Sequence, residues 1–124
     1  MSAASAAKPW PTELRLKRDE RVLEIDFDTG DHFRLPAEYL RVESPSAEVQ
    51  GHGAGQRVWL GGKRDVGITK IEEVGRYAVR LHFSDGHDTG IFSWAYLHEL
   101  GRDHGKRWAT YLKALADRNL SREA

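Results

Sequence analysis

The sequence predicts an α+β domain: small antiparallel sheets built from two hairpin-plus-helix units, with a C-terminal helix packed on one side. Three observations carry that reading. Over residues 77–83, Tyr77, Val79, Leu81 and Phe83 alternate with Ala78, Arg80 and His82, the period of two expected of a strand with one buried face. Asp85-Gly86 then offers the positive-φ residues of a hairpin turn, Gly90 interrupts the returning strand, and Ser93 is placed to cap a helix carrying Trp94, Leu97 and Leu100. The same pattern occurs earlier: Leu23, Ile25 and Phe27 alternate, Asp28-Thr29-Gly30 turns, Phe33 and Leu35 return, and residues 36–40 open a helical turn. An offset of 56 residues lays Phe27 on Phe83 and Gly30 on Gly86, and one further residue brings Tyr39-Leu40 onto Tyr96-Leu97.

Taken in order, residues 1–9 read as a mobile Ala/Ser-rich tail, residues 10–117 as one domain and residues 118–124 as a fraying end. Leu14 and Leu16 alternate with charged neighbours and predict an edge strand, which completes a three-stranded meander with 22–27 and 32–35. Periodicity disappears over 41–55, where proline, serine and glycine are dense; this predicts a long loop, functional or mobile. Residues 66–74 read as a strand with Ile68 and Ile71 out of phase, hence a bulge near Thr69-Lys70. Gly101 stands where a helix C-cap is expected. A last helix over about 105–116 presents Trp108, Tyr111, Leu112 and Leu115 as one apolar stripe.

Composition narrows the function. Lys+Arg and Asp+Glu are both 19, so the net charge is zero, which argues against a nucleic-acid or anionic-membrane partner held by bulk charge. With no cysteine, disulfides, thiolate metal sites and a cysteine nucleophile are excluded together, and a reducing, cytoplasmic setting is expected. No apolar run reaches the roughly 20 residues of a membrane-spanning helix, and the first residues lack the pattern of a signal peptide.

Motifs of chemistry are few. The glycines at 51, 53 and 55 precede no helix pattern, and Gly62-Lys63-Arg64 has no Ser or Thr after the lysine, so neither is a phosphate loop. No Gly-x-Ser-x-Gly elbow occurs, and none of the six histidines has a carboxylate two positions on, as an iron-binding facial triad would. A metal or small-ligand site, if present, would draw on His87, Asp88 and Asp85 at the hairpin tip, with His52 from the loop. The competing reading is turn chemistry, in which Asp85 bonds nearby backbone N–H groups. Trp10 and Trp59 lie in irregular segments where an exposed aromatic could anchor a partner.

Three strings carry a family resemblance: Leu35-Pro36-Ala37-Glu38-Tyr39-Leu40-Arg41; Ser44-Pro45-Ser46-Ala47-Glu48-Val49-Gln50-Gly51-His52-Gly53; and Asp85-Gly86-His87-Asp88-Thr89-Gly90-Ile91-Phe92-Ser93-Trp94-Ala95-Tyr96-Leu97. They resemble the small bacterial domain that is similar to the N-terminal domain of gamma-butyrobetaine hydroxylase, over about residues 11–115. The resemblance implies a compact α+β accessory module, found alone or fused to iron- and 2-oxoglutarate-dependent catalytic barrels and to iron–sulfur carrier proteins. In the hydroxylases the catalytic residues belong to the barrel, which this chain lacks. Their N-terminal domain holds a structural zinc with three cysteines and a histidine. Those positions fall here on Ser44, Ser46, Val49 and His87, so the resemblance implies that the zinc function is lost.

The expectation is a non-catalytic interaction module without cofactor, acting in trans with an iron–sulfur or oxygenase protein. Its surface is expected to use Ser44, Ser46, Glu48, Gln50, His52, Trp59, His87 and Asp88. The alternative is a weak metal or small-ligand binder at the His87/Asp88 tip.

Overall fold

The computed structural model describes residues 8–51 and 55–123; the expected tail over 1–7, and His52, lie outside the described residues. The elements run β1 (Pro11–Lys17), β2 (Val22–Phe27), β3 (His32–Pro36), α1 (Ala37–Val42), α2 (Ala47–Gln50), β4 (Ile68–Val74), β5 (Ala78–Phe83), β6 (Ile91–Ser93), α3 (Trp94–Arg102) and α4 (His104–Asp117). They form two three-stranded antiparallel sheets, ordered β1-β2-β3 and β4-β5-β6. This is the α+β architecture of two hairpin-plus-helix units. No helix among the described residues is long and apolar enough to cross a membrane.

The two units repeat down to single hydrogen bonds. In the first hairpin the Phe27 N–H donates to the Asp31 carbonyl at 2.9 Å and Gly30 N–H to Phe27 at 3.0 Å; in the second, Phe83 donates to His87 at 2.9 Å and Gly86 to Phe83 at 3.0 Å. Gly30 and Gly86 take φ of 90° and 91°, a conformation that costs a residue with a Cβ but not glycine. A register shift falls at the same place in β1 (between Pro11 and Glu13) and in β4 (between Ile68 and Lys70), the latter as the out-of-phase isoleucines require. At each shift a threonine hydroxyl reaches the neighbouring strand: Thr12 donates to Asp26 and Thr69 to His82.

One core lies between the units. Leu23 and Ile25 from β2, Leu81 from β5, Tyr39 and Leu40 from α1, and Leu97 and Leu100 from α3 are all fully buried. Each such aliphatic side chain contributes about 1.5–3 kcal/mol by leaving water, so alternation in the strands and helical spacing in α1 and α3 converge on the same interior. A smaller cluster of Val42, Tyr111 and Leu115 seats α4.

Four expectations need correction. Tyr77 precedes β5 and is exposed, because the strand begins at Ala78 and only Val79, Leu81 and Phe83 turn inward. Leu112 is exposed too; the buried face of α4 is Tyr111, Ala114 and Leu115. Gly101 is inside α3, not beyond its end: the Phe33 ring lies where a Cβ would project, so the glycine admits a close contact. Residues 118–123, expected to fray, fold back instead. Asn119 takes φ of 55°, Leu120 N–H donates to Leu115 at 2.9 Å and Asn119 N–H to Ala116 at 3.2 Å, a left-handed helix stop made by asparagine instead of glycine. The Ser121 and Arg122 carbonyls then accept from Gly62 and Arg64, and the Arg122 guanidinium grips Glu38 at 2.7 and 2.8 Å.

Candidate functional site: a loop clasped to a hairpin

Residues 43–51 are ordered by their own side chains. Ahead of α2 the backbone is extended at Ser46, whose hydroxyl accepts the Glu48 N–H at 3.2 Å, capping the single turn of α2. The Gln50 side-chain amide donates back to the Ser44 carbonyl at 2.8 Å. Val49 is buried, and its carbonyl accepts the Val58 N–H at 2.7 Å, which ties the far side of the loop. Of the two alternatives the sequence left for this loop, functional or mobile, residues 43–51 have the hydrogen bonds and packing of a built segment. Short polar side chains, invisible to a search for hydrophobic period, hold the segment.

The loop closes on the β5–β6 hairpin through a chain of polar contacts. The Ser44 hydroxyl lies 2.9 Å from His87 Nε2, the Ser46 hydroxyl 2.7 Å from the Thr89 hydroxyl, and Thr89 donates to Glu48 Oε1 at 2.9 Å. On the other side of its ring, His87 Nδ1 lies 3.4 Å from Glu48 Oε2. A neutral ring with hydrogen on Nδ1 satisfies both neighbours at once: Nδ1–H faces the carboxylate and Nε2 accepts the Ser44 O–H. Burial lowers the His87 pKa below the usual histidine range, and the nearby Arg41 cation adds to that, so the neutral form is the one the fold favours. Gly90 passes so close to Ser44 that a Cβ there would collide with the hydroxyl.

Asp85 joins the turn to two cations. Its Oδ1 accepts the His87 N–H at 3.1 Å, while Oδ2 receives Arg41 Nε at 2.8 Å and Lys63 Nζ at 2.6 Å. Burial opposes ionisation here, but Lys63, the His87 N–H and Arg41 outweigh it and hold the carboxyl at about 2. Asp88 points outward and is exposed. Of the metal candidates, then, His87 is spent in the clasp, Asp85 in an ion pair, Asp88 stands apart, and His52 lies outside the described residues. Among the described residues no three His, Cys, Asp or Glu side chains are grouped to share an ion.

Of the expected interaction residues, Ser44, Ser46 and His87 are buried against one another, and Gln50 is half-buried. Among the described ones, Glu48 and Asp88 alone face solvent fully. Trp59 is half-buried beside Val42 and Tyr111, with the Arg57 guanidinium 3.9 Å over its ring. Sequence reasoning missed Glu43, which is 1% exposed and holds Arg57 at 3.0 Å and Arg107 at 2.9 Å. It also missed the Ser44–His87–Glu48 relay, because its members are separated by the whole of β4 and β5. A buried glutamate next to a serine-proline turn gives no periodic signal.

The family described as gamma-butyrobetaine hydroxylase-like, N-terminal, matches residues 14–98. The chain belongs to that family. Among solved structures, two NMR solution structures are similar: one at 44% identity and TM-score 0.83, covering 94% of this chain and 92% of the other, and one at 48% and 0.80, covering 98% and 90%. A crystal structure of a DUF971-family protein of unknown function from Acidithiobacillus ferrooxidans is 44% identical, with TM-score 0.62 and coverage of 73% and 91%. No curated protein matches.

In this gamma-butyrobetaine hydroxylase-like domain three of the four positions to which the resemblance assigns zinc ligands converge, since Ser44, Ser46 and His87 join one clasp, and the fourth, Val49, is buried in the same loop. Their donor set does not fit zinc. Two neutral hydroxyls and an isopropyl group replace three thiolates, and the remaining imidazole already has its partners.

Proposed function

We propose that this chain is a non-catalytic, cytoplasmic accessory module that binds a protein partner of the iron–sulfur or iron/2-oxoglutarate-dependent oxygenase class. The observation that supports it most is the state of His87: its ring, 2% exposed, lies between Ser44 and Glu48 and closes the loop onto the hairpin. A reacting histidine needs access to substrate, and this one is used to shape a surface. Around the clasp, Glu48, Asp88 and Thr89 are exposed and offer a partner two carboxylates and a hydroxyl. The fusions of similar domains to those partner classes supply the partner, by analogy of fold and not by chemistry.

Crosslinking in extract, comparing the chain with a Glu48→Arg/Asp88→Arg variant, tests the reading. A partner of the stated class is expected with the first and lost with the second; its absence from both refutes the assignment.

The Ser44–His87–Glu48 relay has the connectivity of a hydrolase triad, so it requires its own test. Ser44 is 0% exposed, and a scissile carbonyl would reach it only if the hairpin lifted. A fluorophosphonate probe should leave Ser44 unlabelled, and stoichiometric labelling at that residue would sink the non-catalytic reading.

A further inference from the structure

The two sheets share a core but leave it uncovered along one side, where β1 and β4 are both outermost strands. Leu14 and Leu16 pair with Ile25 and Leu23, and Ile71 with Leu81, so these half-buried side chains lie on the core face of each sheet. With Val79 and Trp94 they line a cleft of about 370 Å³ between the strands. A second cleft of about 320 Å³ continues from Trp94 to Trp10 and Tyr77. There Trp10 meets Tyr77 at 5.8 Å and Trp94 at 6.5 Å, edge to face, although Trp10 is 43% and Tyr77 68% exposed. Aromatic side chains of this size left in water along an apolar floor mark a surface that something covers.

We propose that this groove binds an extended segment of a protein partner, with apolar side chains at alternate positions and a carboxylate at each end. The shape of the occupant follows from its walls. Among the described residues each edge strand is paired with a strand on one side only, so the backbone edge of β1, or of β4 beyond the Thr69 carbonyl held by Arg18, suits an added strand. An added strand turns every second side chain toward the floor formed by Leu14, Leu16, Ile71 and Trp94. From Trp10 to Leu16 the groove runs about 20 Å at roughly 3.3 Å per residue, the length of six or seven residues. The charge of the occupant follows from the ends: Lys8 lines the aromatic end, Arg18 the other, and among the described lining residues Glu73 is the one carboxylate between them. Arg18 also donates to the Thr69 carbonyl at 3.2 Å, which fixes the spacing of the two edges at that end.

The proposal rests on the reading of the chain as an interaction module and names a second place, apart from the clasp, where a partner segment is held. Selection of phage-displayed random heptapeptides against the intact chain tests it, followed by NMR titration of the winning peptide. Enrichment of alternating apolar sequences flanked by Asp or Glu is expected, with amide shifts at Leu14, Leu16 and Ile71. Trp10→Ala and Tyr77→Ala, both at exposed positions, should each weaken binding at least tenfold, and Lys8→Glu should weaken it several-fold while leaving the fold untouched. Glu48→Arg/Asp88→Arg should bind the peptide as the parent does, so failure at the clasp and failure at the groove remain distinct. No enrichment, enrichment of sequences with helical spacing, or equal binding by the Trp10 and Tyr77 variants overturns the proposal. So does a dimer at micromolar concentration that Trp10→Ala dissociates, because the occupant would then be a second copy.

Discussion

Tyr39 and Tyr96 make the same hydrogen bond in opposite directions across the molecule. Tyr39 donates its hydroxyl to the Leu100 carbonyl at 2.7 Å, and Tyr96 donates to the Glu43 carbonyl at 2.6 Å. Tyr96 follows Tyr39 by the same interval as Leu100 follows Glu43, so each unit's helix supplies a phenol to the end of the other unit's helix. These are carbonyls that a helix terminus leaves without an internal partner. Burial raises the pKa of Tyr39 and pushes that of Tyr96 up to about 12, so both remain donors throughout the working range of pH.

Replacing either tyrosine by phenylalanine should therefore cost stability without changing shape. Tyr39→Phe leaves the Leu100 carbonyl unsatisfied in the core, and a loss of about 1–3 kcal/mol is expected. Tyr96→Phe, nearer solvent, should cost about 1 kcal/mol. Urea denaturation measures both; unchanged midpoints would show that the exchange holds nothing together.

Ser44→Ala removes the hydroxyl that meets His87 and receives the Ser46 N–H at 3.3 Å. The expected loss is about 1–3 kcal/mol, with faster hydrogen exchange over residues 44–50 while the β2 and β5 amides stay protected. Uniform acceleration across both sheets would mean that the clasp is not a local unit.

Glu43 accepts from two arginines while buried, and Glu43→Ala should cost about 3 kcal/mol or more because Arg57 then loses its carboxylate and Arg107 is left with Glu99. Glu43→Gln, which keeps one acceptor oxygen, should lose less. Equal effects from the two variants in thermal melts would contradict an electrostatic role.

Acid should weaken the fold in two stages. Burial lowers the pKa of His87 and of His104, which stacks on Tyr39 at 4.3 Å. A histidine whose folded pKa lies below its unfolded one stabilises fully above the unfolded value, roughly 6.5, and loses that stabilisation as pH falls through the folded one. Asp85 and Asp26, each held at about 2, stabilise above the ordinary aspartate range and lose this only below it. Denaturant midpoints measured from pH 8 to pH 3 should therefore fall in two steps, and His87→Gln should flatten the upper one. A midpoint that rose between pH 7 and pH 5 would reverse the sign and refute the buried neutral ring.

Because Ser44, Ser46 and His87 already converge and Val49 lies on the same short turn as Ser46, the combined substitutions S44C, S46C and V49C should create a zinc site of three thiolates and one imidazole. Cobalt substitution is the readout: tetrahedral ligand-field bands with thiolate charge transfer are expected, and His87→Ala in the same background should abolish them. A triple variant that left both metals unbound would show that the loop has moved away from that geometry.

The sequence by itself determined the two hairpins, their glycine turns, the Ser93-capped helix and the family, because each follows from neighbours within a few residues. Alternation needs only adjacent positions, Gly30 and Gly86 need only their own φ, and Ser93 caps a backbone N–H three residues on, that of Tyr96. The bulge in β4 was legible for the same reason, from Ile68 and Ile71 out of phase. Only the tertiary structure decided what lies against what. Ser44 meets His87 across a separation of 43 residues, Arg122 meets Glu38 across 84, and Trp10 meets Tyr77 through rings from separate segments. Such contacts depend on how two sheets are placed around one core, and that placement is set by the summed burial of many apolar side chains. Polar residues in an irregular stretch therefore carried no sign of their partners until the fold brought them together.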